Sequence, residues 1–179
     1  ELDLFEEEFD QLRKLFRACK MNPNANIHVY TEKKWAFTNL WVPTDYFAKN
    51  VRSRIVVDAL VVNRKEGVAT VIDYKTGKIR DGYDDQLDLY AAGAFAELPA
   101  INEVRTQLWY IDQGEILGGD PDAKTSVGIY HRSQHADALI KKWDERAAKM
   151  LVDSQFPPKP SNNCTWCDFT KGKGGPCDY

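Results

Sequence analysis

Apolar side chains recur along this chain with two alternating periods. At the start, Phe5, Phe9, Leu12, Phe16 and Cys19 follow at steps of four and three, the stripe of an amphipathic helix over Glu1–Lys20. Asn22-Pro23-Asn24 ends it. Ile27–Phe37 reads as a strand with charged positions, and Arg54–Asn63 as a strand holding Ile55-Val56-Val57 and Leu60-Val61-Val62. Arg64-Lys65-Glu66-Gly67 forms a hairpin turn, from which Val68–Tyr74 returns. The helical period resumes over Asp84–Glu97, with Leu87, Tyr90, Ala91, Ala94 and Phe95 on the apolar side. Arg105–Ile111 and Ser126–His131 read as strands, with Asp112-Gln113-Gly114 as a turn between them. Ser133–Val152 is a second long helix whose inward stripe is Ala136, Leu139, Ile140, Trp143, Ala147, Met150 and Leu151. The order α-β-β-β-α-β-β-α predicts an α/β fold with a mixed central sheet flanked by helices. From Phe156 the pattern gives way to Pro, Asn, Gly, Lys and Cys, so the expected division is a core domain over 1–155 and a Cys-containing tail over 156–179 packed on it.

Composition narrows the class. A chain of 179 residues that is 43% hydrophobic and 12% aromatic can bury one core and is not a disordered segment. No apolar run approaches the roughly 18 residues a membrane span needs. The acidic opening Glu1-Leu2-Asp3 does not resemble a secretory signal, and the missing initiator Met reads as a piece of something longer. Four cysteines are too few for a disulfide framework, which with the missing signal places the chain in a reducing, intracellular setting.

Charge changes the picture further. The net value of -3 conceals a segment, 49–80, with eight bases against three acids. That segment carries +5 and leaves -8 to the rest of the chain. A phosphate-binding surface depends on such local potential, not on the total. Arg52, Arg54, Lys78 and Arg80 are its candidate phosphate contacts, and Trp35, Trp41, Tyr83 and Tyr90 are candidate stacking surfaces for bases.

Two strands that otherwise read as buried each contain an acid. Asp58 interrupts an aliphatic run and Asp73 follows Val71-Ile72, with fourteen residues and the hairpin turn between them. A buried carboxylate without a partner costs several kcal/mol, and two that converge repel unless a cation intervenes. Lys75 shares a strand face with Asp73 by the period of two. Paired carboxylates suit a hard divalent ion such as Mg²⁺, and a neighbouring lysine can orient a water or neutralise charge on a phosphate. On the following helix, Gln86 and Tyr90 are four residues apart and share a face.

Val57-Asp58-Ala59, Val71-Ile72-Asp73-Tyr74-Lys75-Thr76-Gly77-Lys78 and Gln86-x3-Tyr90 together resemble the PD-(D/E)xK nuclease superfamily, in particular its RecB-like exonuclease branch. The resemblance covers residues 27–179 and implies a restriction-endonuclease-like core. It implies an Mg²⁺- or Mn²⁺-dependent exonuclease acting on single-stranded DNA or DNA ends. Asp58, Asp73 and the Tyr74 carbonyl would bind the metal, with Glu32 in a supporting role. Lys75 would position the attacking water, while Gln86 and Tyr90 steady the catalytic strand and touch DNA. Ile55 stands where the branch has a glycine, and none of His28, His131 or His135 falls where it has a histidine ligand. That ligand is left to Glu6-Glu7-Glu8 or to residues before Glu1. The competing expectation is a non-catalytic DNA-binding module within a helicase–nuclease or recombination complex.

In the tail, Cys164-x2-Cys167 and Cys177 have a spacing that suits thiolate binding of zinc or an iron–sulfur cluster. The resemblance includes members with one upstream and three C-terminal cysteines around a [4Fe–4S] cluster, which would make Cys19 the fourth ligand. Cys19 also sits on the apolar stripe of its helix, where a small core residue belongs.

Overall fold

The computed structural model describes residues 26–79, 82–122, 127–155 and 157–178. The expected first helix with Cys19, and Arg80, lie outside the described residues. The chain divides into two compact units, Glu1–Trp143 and Asp144–Tyr179. The division between these units falls inside the last helix.

The first unit is a mixed sheet. β1 (Ile27–Phe37) and β2 (Ser53–Asn63) pair antiparallel from end to end with one break, at Glu32 and Asp58, and β2 turns through Arg64–Gly67 into antiparallel β3 (Val68–Lys75). α1 (Asp84–Glu97) then crosses to β4 (Glu103–Tyr110), which runs parallel to β3. The far edge of β4 is shared. β5 (Glu115–Leu117) pairs with Leu108–Tyr110, and β6 (Ile129–His131) pairs with Glu103–Arg105. At only three residues, β5 is too short to show a period in the sequence, and β6 is shorter than the expected Ser126–His131. Between them the backbone crowds Thr106. A Cβ on Gly128 would stand 2.5 Å from the Thr106 carbonyl oxygen, and its φ of +75° adds a left-handed backbone that only glycine adopts cheaply.

α1 lies directly on the sheet because its buried positions are small. Ala91, Ala92 and Ala94 are fully covered, and a Cβ on Gly93 would meet Ile55 Cδ1 at 2.6 Å. Trp35, Phe37, Val57, Leu60, Val71, Phe95 and Val104 complete this core. Trp35, Trp41 and Tyr90 belong to it as well, so these three rings are not the base-stacking surfaces expected from the sequence. The inward positions of β2 change parity at Asp58. Ile55 and Val57 before it, and Leu60 and Val62 after it, all enter one cluster.

The C-terminal turn of α1 contains no basic residue to meet its exposed carbonyls. Arg132, the first residue of α2 (Arg132–Val152), supplies one from across the fold. Its guanidinium donates to the carbonyls of Phe95, Leu98 and Ile101 at 3.1, 2.7 and 2.7 Å, and stacks 4.8 Å above the Phe95 ring. Farther along α2, Met150 and Leu151 are 72% and 71% exposed although the periodicity places them inward. Within the first unit, the stripe meets the core through buried Ala136 and Leu139, with Ile140 and Trp143 packed beside them.

In the second unit, short 3-10 turns at Asn162–Trp166 and Lys171–Lys173 carry the chain, and Thr170 and Cys177 form an isolated bridge. Among the described residues no helix is long and apolar enough to cross a membrane.

Candidate active site

The β2–β3 ladder runs from Asn63↔Val68 to Ala59↔Ile72 and stops. The next positions in that register are Asp58 and Asp73. Asp58 does not continue the backbone ladder: its Oδ2 accepts the Tyr74 N–H at 2.7 Å. One carboxylate thus caps the strand that carries the other, and both acids lie at the end of the sheet toward which β3 runs.

Asp73 is only 6% exposed, so each of its oxygens has to be accounted for. Oδ1 accepts the Tyr90 hydroxyl at 2.6 Å and the Gln86 amide Nε2 at 3.0 Å. Gln86 Nε2 also lies 2.7 Å from the Tyr90 hydroxyl, and its Oε1 accepts Lys75 Nζ at 2.9 Å. Lys75 Nζ stands 2.6 Å from Asp73 Oδ2, an ion-pair contact off the line of a hydrogen bond. That oxygen is buried against the ammonium. Tyr83 packs its ring 4.6 Å from the same ammonium. The structure joins Asp73, Lys75, Gln86 and Tyr90 in one connected group, with Asp58 beside it on the Tyr74 N–H.

Burial and the Asp73 carboxylate raise the Tyr90 hydroxyl well above the ordinary tyrosine value near 10, and Tyr130 is raised in the same way by burial and Asp88. Both therefore donate across the whole neutral range. A raised folded-state value means that this stability is fully present below the unfolded value near 10 and is lost as pH climbs beyond it. We expect unfolding to become easier above about pH 10, and Tyr90→Phe with Tyr130→Phe to flatten that alkaline limb in denaturant titrations. A limb unchanged in the double variant would refute the assignment. Tyr74 is raised more modestly, by burial and then by the Asp58 charge.

The remaining expected site residues do not enter this hydrogen-bonded group. Glu32 is register-opposite Asp58, yet the flanking pairs Thr31↔Ala59 and Lys33↔Val57 form while Glu32 and Asp58 do not pair. Its φ is +47° and its side chain is exposed. Arg54 Nε is engaged by the Tyr46 carbonyl at 2.8 Å, Arg52 is half-buried, and Lys78 is exposed on the turn after β3. That turn is held by Asp112 and Gln113, which the sequence marks as a turn of their own and not as part of the site. Asp112 Oδ2 accepts the Gly77 N–H at 2.7 Å, and Gln113 Nε2 donates to the Gly77 carbonyl at 2.6 Å. The parallel pair Lys75↔Tyr110 brings the two loops side by side, a relation visible only once β3 and β4 are known to be neighbours.

Two carboxylates, one with an oxygen buried against an ammonium, form a hard-oxygen donor set. It suits Mg²⁺ or Mn²⁺, which take few protein ligands and fill the rest with water and phosphate. Asp58, Asp73 and the Tyr74 carbonyl are the candidate holders. In the tail, Cys164, Cys167 and Cys177 are free thiols, and Cys164 Sγ accepts the Ser161 N–H at 3.3 Å. Among the described residues no three His, Cys, Asp or Glu side chains are gathered as a metal site.

No protein of curated function matches the chain. Among solved structures, "Crystal structure of SSO0001" is similar over 89% of this chain at 18% identity and a TM-score of 0.41. The matched chain spans 65% of that protein's length, and a likeness at this level carries no functional argument. The family comparison is of another order. A model of the PD-(D/E)XK nuclease superfamily matches residues 6–171, a span that holds Asp58, Asp73, Lys75, Gln86 and Tyr90 and the mixed sheet of a restriction-endonuclease-like core, and the chain belongs to that superfamily.

Proposed function

We propose that this chain is a metal-dependent deoxyribonuclease that hydrolyses phosphodiester bonds, acting as an exonuclease on single-stranded DNA or DNA ends. Nucleases of this superfamily typically use Mg²⁺ or Mn²⁺. The observation that carries the reading is Asp73, whose one oxygen is saturated by Tyr90 and Gln86 while the other is buried against the Lys75 ammonium. A dead site has no physical reason to keep that charge buried.

In this reading Asp58, Asp73 and the Tyr74 carbonyl hold the ion, which when bound supplies Lewis-acid polarisation of a phosphoryl oxygen and acidifies water. Hydrolysis joins a water oxygen to phosphorus, breaks one P–O ester bond and leaves the departing oxygen to take a proton. Lys75 has three N–H donors, of which Gln86 takes one. The others serve the attacking water and the charge that builds on the phosphoryl oxygens. Gln86 ties the ammonium to the carboxylate, so that α1 fixes the angle between them. Tyr90 holds Asp73 in one rotamer from the buried side.

The test is cleavage of end-labelled single- and double-stranded DNA with Mg²⁺ or Mn²⁺. We expect shortening from the ends, abolition by EDTA, and a loss of about 10²–10³-fold in Lys75→Ala, the scale of removing one charge-stabilising donor. Metal-independent cleavage, or equal rates in the variant, would overturn the reading. DNA binding without cleavage would instead leave an assembly module of a helicase or recombination complex. The tail takes no part in these steps. A cluster or zinc role for Cys164, Cys167 and Cys177, with or without Cys19, rests on spacing alone, and iron and zinc content of the purified chain decides it.

A further inference from the structure

The stretch between β1 and β2, residues 38–52, is long for a hairpin connection, and loops of that length in compact folds usually serve a function. Its backbone is tied at several points. Thr44 N–H and Arg52 N–H return to the carbonyls of Ala36 and Phe37 at 2.9 and 2.8 Å, and Trp41 is anchored in the core against Phe37. On this fixed base Phe47 is 83% exposed and Leu40 77%, although both are large apolar groups. Phe47 stands edge-on to Tyr46, with ring centroids 5.3 Å apart and planes at 84°. Tyr46 in turn lies under two cations, Lys34 Nζ at 5.8 Å and the Arg54 guanidinium at 5.6 Å. Between residues 33 and 54 there are five bases and one acid, Asp45, whose carboxylate is engaged by the Phe47 N–H at 2.9 Å.

A rigid, solvent-facing aromatic pair framed by cations matches one ligand chemistry well: bases stacked along a single strand, with phosphates beside the stack. We infer that Tyr46 and Phe47, with Lys34, Arg52 and Arg54, form a stacking platform for single-stranded DNA away from the point of cleavage. The inference takes its substrate class from the nuclease reading above. The position suits it, because β2 is antiparallel to β3 and so begins at the end of the sheet where the acids lie. Ser53, where the loop joins β2, is about 17 Å from Asp58 along the strand, at roughly 3.3 Å per residue. That distance is about five nucleotides at a stacked spacing of ~3.4 Å. The platform would hold the part of the strand already past, or not yet at, the acids, and keep the chain engaged between cuts.

The test is fluorescence anisotropy of a labelled single-stranded thymidine dodecamer in EDTA, so that binding is read without cleavage. Phe47→Ala should weaken binding about 10- to 100-fold, the range for removing one base–aromatic stack, and Phe47→Trp should retain it. A dodecamer of abasic sugar-phosphate should bind the unsubstituted chain as weakly as thymidine binds Phe47→Ala. Because Phe47 is exposed, thermal melting should not change in either variant. Equal affinity of Phe47→Ala and the unsubstituted chain, or of abasic and thymidine strands, overturns the platform, and in that case the exposed rings belong to a protein partner. Absence of any binding overturns it too. Since metal-dependent cleavage is measured separately, the platform and the nuclease reading can each fail alone.

Discussion

Asp73→Asn should abolish cleavage, by about 10³-fold or more, while leaving the melting temperature unchanged or raised. The two halves of that result have separate causes. Asparagine keeps an oxygen for the Tyr90 hydroxyl and the Gln86 amide, so that side of the frame survives, while its Nδ2 is a donor from which the Lys75 ammonium has to turn away. What is lost is a negative charge that is 6% exposed, register-opposite Asp58 and costly to bury. Lys75 loses its ion pair yet keeps Gln86, and its side chain is 19% exposed, so it is not stranded. Activity measured alongside a thermal melt checks both halves. A variant that loses cleavage and stability together would mean that Asp73 is structural. A group retained at a cost to stability is one that the chemistry needs.

Arg132→Ala should show the opposite pattern, lowering stability by about 3 kcal/mol, which for a chain of this size is a fall of roughly 6–12 °C in melting temperature. The carbonyls of Phe95, Leu98 and Ile101 would lose the guanidinium at once, Leu98 keeping only the Ile101 N–H, and the helix has no base of its own there to replace it. Arg132→Lys should recover only part of the loss, because an ammonium is a point charge and cannot reproduce the forked geometry or lie flat on Phe95. Because α1 carries Gln86 and Tyr90, a loosened helix end should also broaden the site's geometry on heating. Denaturant titration of both variants checks the order; equal stability of the alanine variant would remove the cap from the account.

The candidate site was legible because its chemistry contradicts its surroundings. Asp58 and Asp73 stand out as acids in aliphatic runs, and Gln86 and Tyr90 announce a shared face by a step of four. What the sequence concealed depends on who neighbours whom. The parity change at Asp58 exists only because both β1 and β3 cease to pair with it there. The tie from Asp112 to Gly77 spans 35 residues and follows from the parallel pairing of β3 and β4. Aromatics were the least legible of all. Trp35 and Trp41 look as available to a ligand as Phe47, and only the cover provided by α1 and the loop separates core from surface.

Glu32 matters for a reason beyond its neighbour Asp58. Among the described residues β1 is the end strand of the sheet, eleven residues long, and its outer edge is met only near its end, where Pro43 bridges Phe37 and Thr44 bonds Ala36. A strand of that length is a template on which a second copy could add itself, the first step toward a fibril. The left-handed backbone of Glu32 interrupts the run of donors and acceptors near its middle, and Lys33 and Lys34 follow at once. An incoming strand would lose register at that point and bring like charges together. The same break that frees Asp58 from the ladder thus guards the protein against self-association.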